Sequence, residues 1–372
     1  MKNFDSLGID LSLTGKLTQR DIKEPTKIQE LVIPHILNQE DVIFQSATGT
    51  GKTFAYLLPL FSNSAKEIVV IAPTLELCSQ IKREAEFLGR KACLLIGSAN
   101  ISRQIETLKR EKPSVVVGNT ARLLQLAHIG KLKFSRTDAL ILDEGDRLAS
   151  DEQLAQTTEL VRLVHTKRQT IACSATVTGK FRERLAVFTH NAVFLETAEH
   201  EILRDRISHW AFFSENRKKL DCLCSFLNAV HAKKVIVFTN NSGQVGNTVA
   251  RLQYRGIAAD GLFSGVEKGC RKQALDNFRR GRLTVLVSSD LAARGLDIPD
   301  VTHIVSLDTP FDAEGYIHRV GRTARAGKKG VAVTIGNEEE LRRFSSMEKK
   351  LGIVVYPKAL YCGRIEAADI SH

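Results

Sequence analysis

The chain has 372 residues, enough for two domains with separate cores, because single hydrophobic cores rarely outgrow ~250–300 residues. Hydrophobic residues make up 43% and charged residues 26%, as in globular proteins, and no apolar run approaches the roughly 18 residues of a membrane helix. The net charge of +11 favours a polyanionic partner, although a charge spread evenly over the surface for solubility is an equal alternative.

Short apolar runs separated by amphipathic stretches begin near residue 41 and recur along the first half of the chain. They are rich in Val, Ile and Leu and end at Gly, Pro, Ser or Asp, which is typical of buried parallel strands joined by helices. The predicted strands are residues 41–44, 68–72, 115–117, 139–142 and 170–172.

A polar, charged passage interrupts this pattern, and a second series of apolar runs follows it. The second series predicts strands at residues 234–238, 257–262, 284–287, 303–307 and 331–335. We therefore predict an α/β protein with an N-terminal domain at residues 1–200, a C-terminal domain at residues 207–355, and a short C-terminal tail at residues 356–372.

A glycine-rich segment, Ser46-Ala47-Thr48-Gly49-Thr50-Gly51-Lys52-Thr53, follows the first predicted strand and precedes a helix-like stretch. Such a turn points successive backbone N–H groups at phosphate oxygens, with the helix dipole behind them. Lys52 would neutralise the outer phosphates, and the Thr53 hydroxyl would ligate Mg²⁺. A strand-to-helix turn without a ligand is the alternative.

Two acids, Asp143 and Glu144, close the apolar run at residues 139–142. Open α/β sheets bind ligands at the carboxyl ends of their strands. Asp143 is therefore predicted to hold Mg²⁺, directly or through water, and Glu144 to polarise an attacking water molecule. Acids that complement a helix N-terminus are the alternative.

Further strings occur along the chain in a recognisable order, and with the phosphate loop they make the chain resemble the DEAD-box RNA helicases of superfamily 2. The strings are Pro25-Thr26-Lys27-Ile28-Gln29, Pro73-Thr74-Leu75-Glu76-Leu77, Asp143-Glu144-Gly145-Asp146, Ser174-Ala175-Thr176, Ser289-Asp290-Leu291-Ala292-Ala293-Arg294-Gly295-Leu296-Asp297 and His318-Arg319-Val320-Gly321-Arg322-Thr323-Ala324-Arg325. The resemblance implies two tandem RecA-like domains, each a mostly parallel sheet flanked by helices, and ATP with Mg²⁺ as cofactors.

The resemblance assigns nucleotide-site roles outside the phosphate loop. Gln29 would read the adenine edge, since a carboxamide offers both a donor and an acceptor. Phe4 lies where the family carries an aromatic residue that supports the base site, with a hydrophobic anchor as the alternative. Asp297 would contact the ribose, and Arg322 and Arg325 match the family's arginine fingers, whose forked guanidinium groups suit phosphate geometry.

The resemblance also implies residues that couple the nucleotide site to RNA or contact RNA directly. The coupling residues would be Ser174, Thr176 and His318. The RNA-binding residues, expected to contact the backbone with little sequence specificity, would be Thr74, Arg122, Arg271, Ser289 and Arg294.

The chain departs from the family pattern mainly in the strings assigned to RNA. Leu75 stands where the family carries arginine, Asn119-Thr120-Ala121-Arg122 keeps only the arginine of its string, and Gly145 replaces the alanine of the name-giving motif. ATP hydrolysis is therefore a firmer expectation than strand separation. An RNA-stimulated ATPase that remodels RNA is predicted, with an ATP-gated RNA clamp or a DNA-directed helicase as alternatives and protein partners as possible targeting factors.

Cysteine usage bears on the cellular compartment. Seven cysteines are scattered along the chain, and only Cys222 and Cys224 lie close together, without the spacing of a zinc knuckle. Unpaired thiols in a large chain are typical of a reducing compartment, and residues 1–5 form no apolar stretch that predicts a signal peptide. A cytoplasmic location is expected.

Overall fold

The computed structural model describes residues 3–46, 49–175, 179–196, 205–263, 268–293, 298, 300–324 and 328–368. The chain divides into two compact units, Met1–Thr197 and Ala198–His372. Each unit is built on its own sheet.

The first unit contains a seven-stranded parallel sheet. Its strands are β1 Val42–Gln45, β2 Ile68–Ile71, β3 Ala92–Leu95, β4 Val115–Gly118, β5 Ala139–Asp143, β6 Gln169–Ser174 and β7 Val193–Glu196. They lie in the order β3-β4-β2-β5-β6-β1-β7, which brings the ends of β5, β6 and β1 side by side. Because sheets of this kind bind ligands outside the carboxyl ends of their strands, this edge is where the candidate site belongs.

Helices follow most strands of the first unit and bury its sheet. They are α1 Leu11–Thr18, α2 Lys27–Leu37, α3 Lys52–Ser62, α4 Leu75–Phe87, α5 Ile101–Glu111, α6 Thr120–His128, α7 Gly145–Leu148, α8 Leu154–Leu163 and α9 Gly179–Ala186. One apolar cluster packs α1 to α4 against the sheet, and a second packs α6 to α9 against it. Strands buried on both faces carry continuous Val and Ile runs.

The second unit contains an eight-stranded sheet. Its strands are β8 Ile207–Phe213, β9 Val235–Thr239, β10 Ala259–Leu262, β11 Val285–Ser289, β12 His303–Ser306, β13 Gly330–Gly336, β14 Val355–Tyr361 and β15 Arg364–Ala367. The order is β10-β11-β9-β12-β13-β8-β14-β15, and the β14–β15 pair is antiparallel. The accompanying helices are α10 Lys219–Val230, α11 Ser242–Tyr254, α12 Lys268–Arg279, α13 Asp290–Ala293, α14 Ala313–Val320 and α15 Glu338–Leu351.

The predicted fold class, two successive α/β units with mostly parallel sheets, is confirmed, and each predicted apolar run overlaps a strand. Strands β3, β7, β8, β14 and β15 were not predicted. Within the predicted C-terminal tail, residues 356–361 belong to β14, which pairs with β8 and extends the second sheet. No helix in the described ranges is long and apolar enough to span a membrane.

Candidate nucleotide site and RNA-contact residues

The glycine-rich segment leaves β1 at Ser46 and enters α3 at Lys52. Gly49 and Gly51 have φ values of 82° and 89°, a region that residues with a Cβ rarely adopt. The Lys52 ammonium donates to the Ser46 carbonyl over 2.6 Å, and the Ser46 and Thr50 hydroxyls are 2.7 Å apart. The lysine at the N-terminus of α3 is therefore bonded to the residue at which the loop begins. Ala47 and Thr48 lie outside the described residues.

Gln29, on the first turn of α2, is buried against this loop. Its Nε2 donates to the Gly51 carbonyl over 3.0 Å, and its Oε1 accepts from the Thr26 N–H over 2.9 Å. A Cβ on Gly51 would lie 2.4 Å from Gln29 Nε2, so glycine is required there. A carboxamide can make about four hydrogen bonds, and the two described here leave one donor and one acceptor for a base edge.

Thr26 forms a second link between α2 and the loop. Its hydroxyl donates to the Thr50 carbonyl over 2.7 Å, and it caps α2 together with Gln29. Gln29, which is predicted to read the base, and its neighbour Thr26 are thus both bonded to the loop that is predicted to hold the phosphates.

Phe4 is buried in the apolar cluster of the first unit, with 3% of its surface exposed. Its carbonyl accepts from the N–H groups of Leu7 and Ile9. These interactions fit the hydrophobic-anchor alternative, while its predicted support of a base stays a prediction.

Asp143 ends β5, and its carboxylate is held by three donors. The Tyr56 hydroxyl donates to Oδ2 over 2.9 Å, the Cys173 thiol to Oδ1 over 3.2 Å, and the Glu144 N–H to Oδ1 over 2.9 Å. Tyr56 lies on α3, one turn beyond Lys52, and Cys173 lies on the neighbouring β6. The carboxylate is therefore fixed to both the phosphate-loop helix and the adjoining strand.

The groups around Asp143 have pKa values that keep them neutral and able to donate. Burial, with the Asp143 charge second, raises the pKa of the Tyr56 phenol and that of the Cys173 thiol well above their ordinary values. The same two causes raise the pKa of Cys78 to about 12. A protonated phenol and thiol stabilise an ionised carboxylate, and neither thiol is a nucleophile at neutral pH.

Glu144 follows with φ of 53°, a left-handed conformation that turns the chain sharply into the short helix α7. Gly145 begins that helix, and a Cβ there would lie 3.2 Å from the Leu185 side chain. The absence of a side chain at Gly145 therefore allows Leu185 of α9 to pack closely against α7. Ser174 is buried at the end of β6, and its carbonyl accepts from the Ser46 N–H over 3.0 Å. Thr176 lies outside the described residues.

In the second unit, the predicted residues His318 and Arg322 lie on and just after α14. The Arg322 Nε donates to the His318 carbonyl over 3.2 Å, and the Arg322 side chain is mostly buried. Asp297 and Arg325 lie outside the described residues.

Arg319, between them in sequence, has a different environment. It pairs with Asp290 through two bonds of 2.6 and 2.7 Å and donates to the Asp308 carbonyl and to Asn240. These hydrogen bonds, made by a side chain that is 1% exposed, give Arg319 a structural role in joining α14 to the ends of β9, β11 and β12.

The residues predicted to bind RNA fall into two groups in the first unit. Thr74 caps α4, accepting from the Leu77 N–H over 3.2 Å, and Leu75 beside it is 38% exposed. Arg122 is 6% exposed. Its guanidinium is directed into the protein, onto the Gly97 and Ala99 carbonyls at 2.9 and 3.1 Å and onto Gln104 Oε1 at 2.8 Å.

In the second unit, Ser289 ends β11 and is mostly buried, and its hydroxyl has no hydrogen-bond partner among the described residues. Arg271 on α12 donates to the Ala292 carbonyl over 2.8 Å. Arg294 lies outside the described residues.

Three residues near predicted site residues were not indicated by the sequence pattern. They are Tyr56 and Cys173, which bond to Asp143, and Arg319, which pairs with Asp290. A polar aromatic residue within the otherwise apolar stretch 54–61 was the available signal for Tyr56. Arg319 lies in the same motif as Arg322 and Arg325, and the sequence pattern indicates only the latter two.

In a comparison with known proteins, each of the two units matches a helicase family model. Residues 26–185 match the DEAD/DEAH box helicase family, and residues 218–327 match the helicase conserved C-terminal domain. The chain is 35% identical over 352 residues to the DEAD-box ATP-dependent RNA helicase CshC of Bacillus cereus, covering 92% of this chain and 89% of the relative. It is 32% identical to CshA of Geobacillus kaustophilus, covering 94% and 76%.

Among solved structures, S. cerevisiae Dbp5 bound to RNA and ADP BeF3 matches with a TM-score of 0.85 and 25% identity, covering 96% of each chain. A structure of Mss116p matches with a TM-score of 0.85 and 24% identity, covering 95% of this chain and 78% of the other, and supports the fold alone.

Proposed function

The chain belongs to the DEAD-box family of ATP-dependent RNA helicases, and we propose that it couples RNA-stimulated ATP hydrolysis to local remodelling of RNA or of RNA–protein complexes. One observation carries the proposal. Gln29 and Thr26 bond to the loop residues that precede Lys52, and Tyr56, on the same helix as Lys52, bonds to Asp143. The residues to which we assign base reading, phosphate binding and Mg²⁺ binding are therefore linked through α2 and α3, which supports the proposal.

The residues present fit Mg²⁺ as the partner of ATP. Thr53 and Asp143 offer hydroxyl and carboxylate oxygens, the ligands that Mg²⁺ prefers. The Asp143 Oδ2 accepts one hydrogen bond from Tyr56, so it keeps a lone pair for a water molecule of a hydrated ion. Bound there, Mg²⁺ would neutralise charge on the phosphates.

We assign the chemistry to two kinds of side chain. Glu144 would orient the attacking water molecule, since its backbone is fixed beside Asp143 by the bond from its own N–H. Arg322 and Arg325 of the second unit would stabilise negative charge on the transferring phosphoryl group, and Asp297 would contact the ribose. Ser174, Thr176 and His318 would couple nucleotide state to RNA.

The Asp-Glu-Gly-Asp variant of the family motif is compatible with this chemistry. The Gly145 substitution replaces a methyl group that would press against Leu185 and leaves both acids in place. We propose that Gly145 reflects packing of α9 and has no role in the reaction.

RNA contacts are proposed for Thr74, Arg271, Ser289 and Arg294, whereas for Arg122 we propose a positioning role. Its guanidinium holds the carbonyls of the loop after β3 and so fixes backbone that follows a strand end. A cytoplasmic location is also proposed, supported by seven free cysteines, and protein partners would supply targeting.

ATP turnover should be measured without polymer, with single-stranded RNA and with single-stranded DNA. We expect stimulation by RNA that DNA does not reproduce, because backbone recognition through 2′-hydroxyls separates the two. Equal stimulation by DNA would favour a DNA-directed helicase. RNA binding gated by an ATP analogue without turnover would favour a clamp.

A further inference from the structure

A cavity of about 490 Å³ opens at the amino-terminal edge of the first sheet. Five lysines line it, Lys66, Lys109, Lys112, Lys131 and Lys133, and all are exposed. They come from three separate segments, which follow α3, close α5 and follow α6. We call this cavity the lysine pocket.

The lysine pocket is distinct from the candidate nucleotide site. Its lining includes Ile68 and Val116, at the beginnings of β2 and β4, whereas the phosphate loop and Asp143 lie at the carboxyl ends of strands in the same sheet. Four-residue strands rise by roughly 13 Å, so the sheet separates the two sites.

The charge of the pocket is strongly positive. Glu67 is the one carboxylate in its lining, so five cations against one anion leave a formal charge of +4. In the described part of the chain none of the five lysines forms an ion pair. Their charge is therefore available to a ligand.

Helix dipoles explain only part of this arrangement. The carboxyl ends of α3, α5 and α6 each carry a partial charge of about −0.5, which lysines complement. Three such ends amount to about −1.5, well short of offsetting +4. The last turn of α15 also carries two exposed lysines, Lys349 and Lys350. These two lysines do not line the cavity and can serve as a control for the pocket lysines.

The buried and half-buried part of the lining, which we call the floor, is mostly apolar. It includes Phe134, which is 4% exposed, together with Ile68, Val69, Leu108, Val116 and Leu132. The volume falls within the range of about 300–1,000 Å³ typical of ligand sites. An apolar floor beneath a cationic rim suits a ligand with a flat apolar part and flanking phosphates.

We propose that the lysine pocket binds single-stranded RNA at a site separate from the ATP-controlled one, with phosphates on the lysines and a base against the floor. The proposal rests on the proposed function, because an RNA-directed enzyme provides the strand. Lysines from three segments of chain suit successive phosphates of a polymer. The pocket would hold RNA flanking the remodelled segment and keep the enzyme on its substrate between ATP cycles.

The test compares two triple variants of the full chain that lose the same charge. One is Lys109→Ala with Lys112→Ala and Lys131→Ala. The control is Lys349→Ala with Lys350→Ala and Lys233→Ala, all exposed lysines of the second unit. Affinity for a long oligouridylate is measured without nucleotide at several salt concentrations, and melting curves check that both variants fold.

For a single strand, removing one lysine–phosphate interaction reduces the log-affinity versus log-salt slope by ~0.7. The pocket variant should therefore show a slope that is lower by about 2, while the slope of the control changes much less. The maximal ATP turnover of the pocket variant with a saturating short oligouridylate should match that of the unmodified protein. Equal slopes for the two variants would overturn the proposal, as would loss of inorganic polyphosphate binding with an unchanged RNA slope.

The two proposals fail in different measurements. Absence of RNA-stimulated turnover in the unmodified protein would reject the proposed function, whereas the equilibrium slopes test the pocket by themselves. A fall in maximal turnover of the pocket variant would place these lysines in the ATP-coupled RNA surface and would also reject a separate site.

Discussion

Asp143 and Arg122 are both buried charged residues of the first unit. Their surroundings differ in how many polar atoms of the side chain remain available to a ligand. Around Asp143, three donors fix the carboxylate while Oδ2 retains a lone pair at a strand end. Around Arg122, three acceptors from residues 97–104 occupy a guanidinium that is almost fully buried. A motif residue can thus keep an oxygen available to a ligand or have most of its polar atoms bonded within the fold, and the residue type alone does not distinguish the two.

The largest effect should come from the acid beside Asp143. Glu144→Gln removes the group proposed to act on the attacking water molecule while preserving size and ATP binding. Positioned acid–base groups contribute typically 10²–10⁴-fold, so steady-state turnover should fall within that range. Glu152→Gln, at an exposed position, provides the control for loss of one charge. Turnover within a few-fold of normal in Glu144→Gln would remove Glu144 from the mechanism.

Arg122→Ala should test the other side of the comparison through stability. The change removes the donor that the carbonyls of Gly97 and Ala99, in an exposed loop, and the buried Gln104 side chain all share. Hydrogen bonds to charged groups contribute about 1.5–3 kcal/mol each, so the free energy of unfolding should fall by ~3 kcal/mol. Chemical denaturation measures it, with Arg103→Ala at an exposed position as control. An unchanged free energy of unfolding with a salt slope reduced by ~0.7 would instead assign Arg122 to RNA.

Local features of the first unit could be predicted from the sequence, whereas contacts between distant residues could not. The glycine-rich turn from β1 into α3 was predictable because Gly49 and Gly51 have φ values that suit glycine and because a strand and a helix flank them. The direction of Arg122 was not, since it depends on a loop more than 20 residues earlier in the chain. Strands β14 and β15 were missed because their half-buried, mixed residues lack the continuous apolar pattern of central strands.

Tyr56→Phe should have a smaller effect, because it removes one donor and leaves the ring in place. The Asp143 carboxylate loses the hydrogen bond to Oδ2, which should lower the free energy of unfolding by about 1.5–2 kcal/mol. Because Tyr56 would act through Asp143, the Mg²⁺ concentration needed for nucleotide binding should also rise. Fluorescent-nucleotide titration at several Mg²⁺ concentrations measures this.

Tyr254→Phe, at a position that is 82% exposed, should leave both quantities unchanged. If Tyr56→Phe lowered stability without changing the Mg²⁺ requirement, Tyr56 would be a packing residue alone.

Leu75→Arg should produce the smallest effect and would show whether an RNA contact can be restored. Leu75 begins α4 beside Thr74 and is 38% exposed. This exposure argues against the alternative that it fills the core and allows an arginine there to reach solvent. An arginine that meets one phosphate would steepen the log-affinity versus log-salt slope by ~0.7 for a single strand. RNA affinity should therefore rise most at low salt, while ATP binding without RNA stays nearly constant.

The control for Leu75→Arg is Leu163→Arg, which places the same charge at a 45% exposed leucine at the end of α8. Both variants raise the net charge equally, so a general electrostatic effect would shift both slopes alike. A steeper slope in Leu75→Arg alone would mean that α4 begins at the RNA surface. Unchanged RNA affinity with a lowered melting temperature would mean that the leucine contributes packing, because an arginine forced against apolar neighbours loses hydration without gaining a partner.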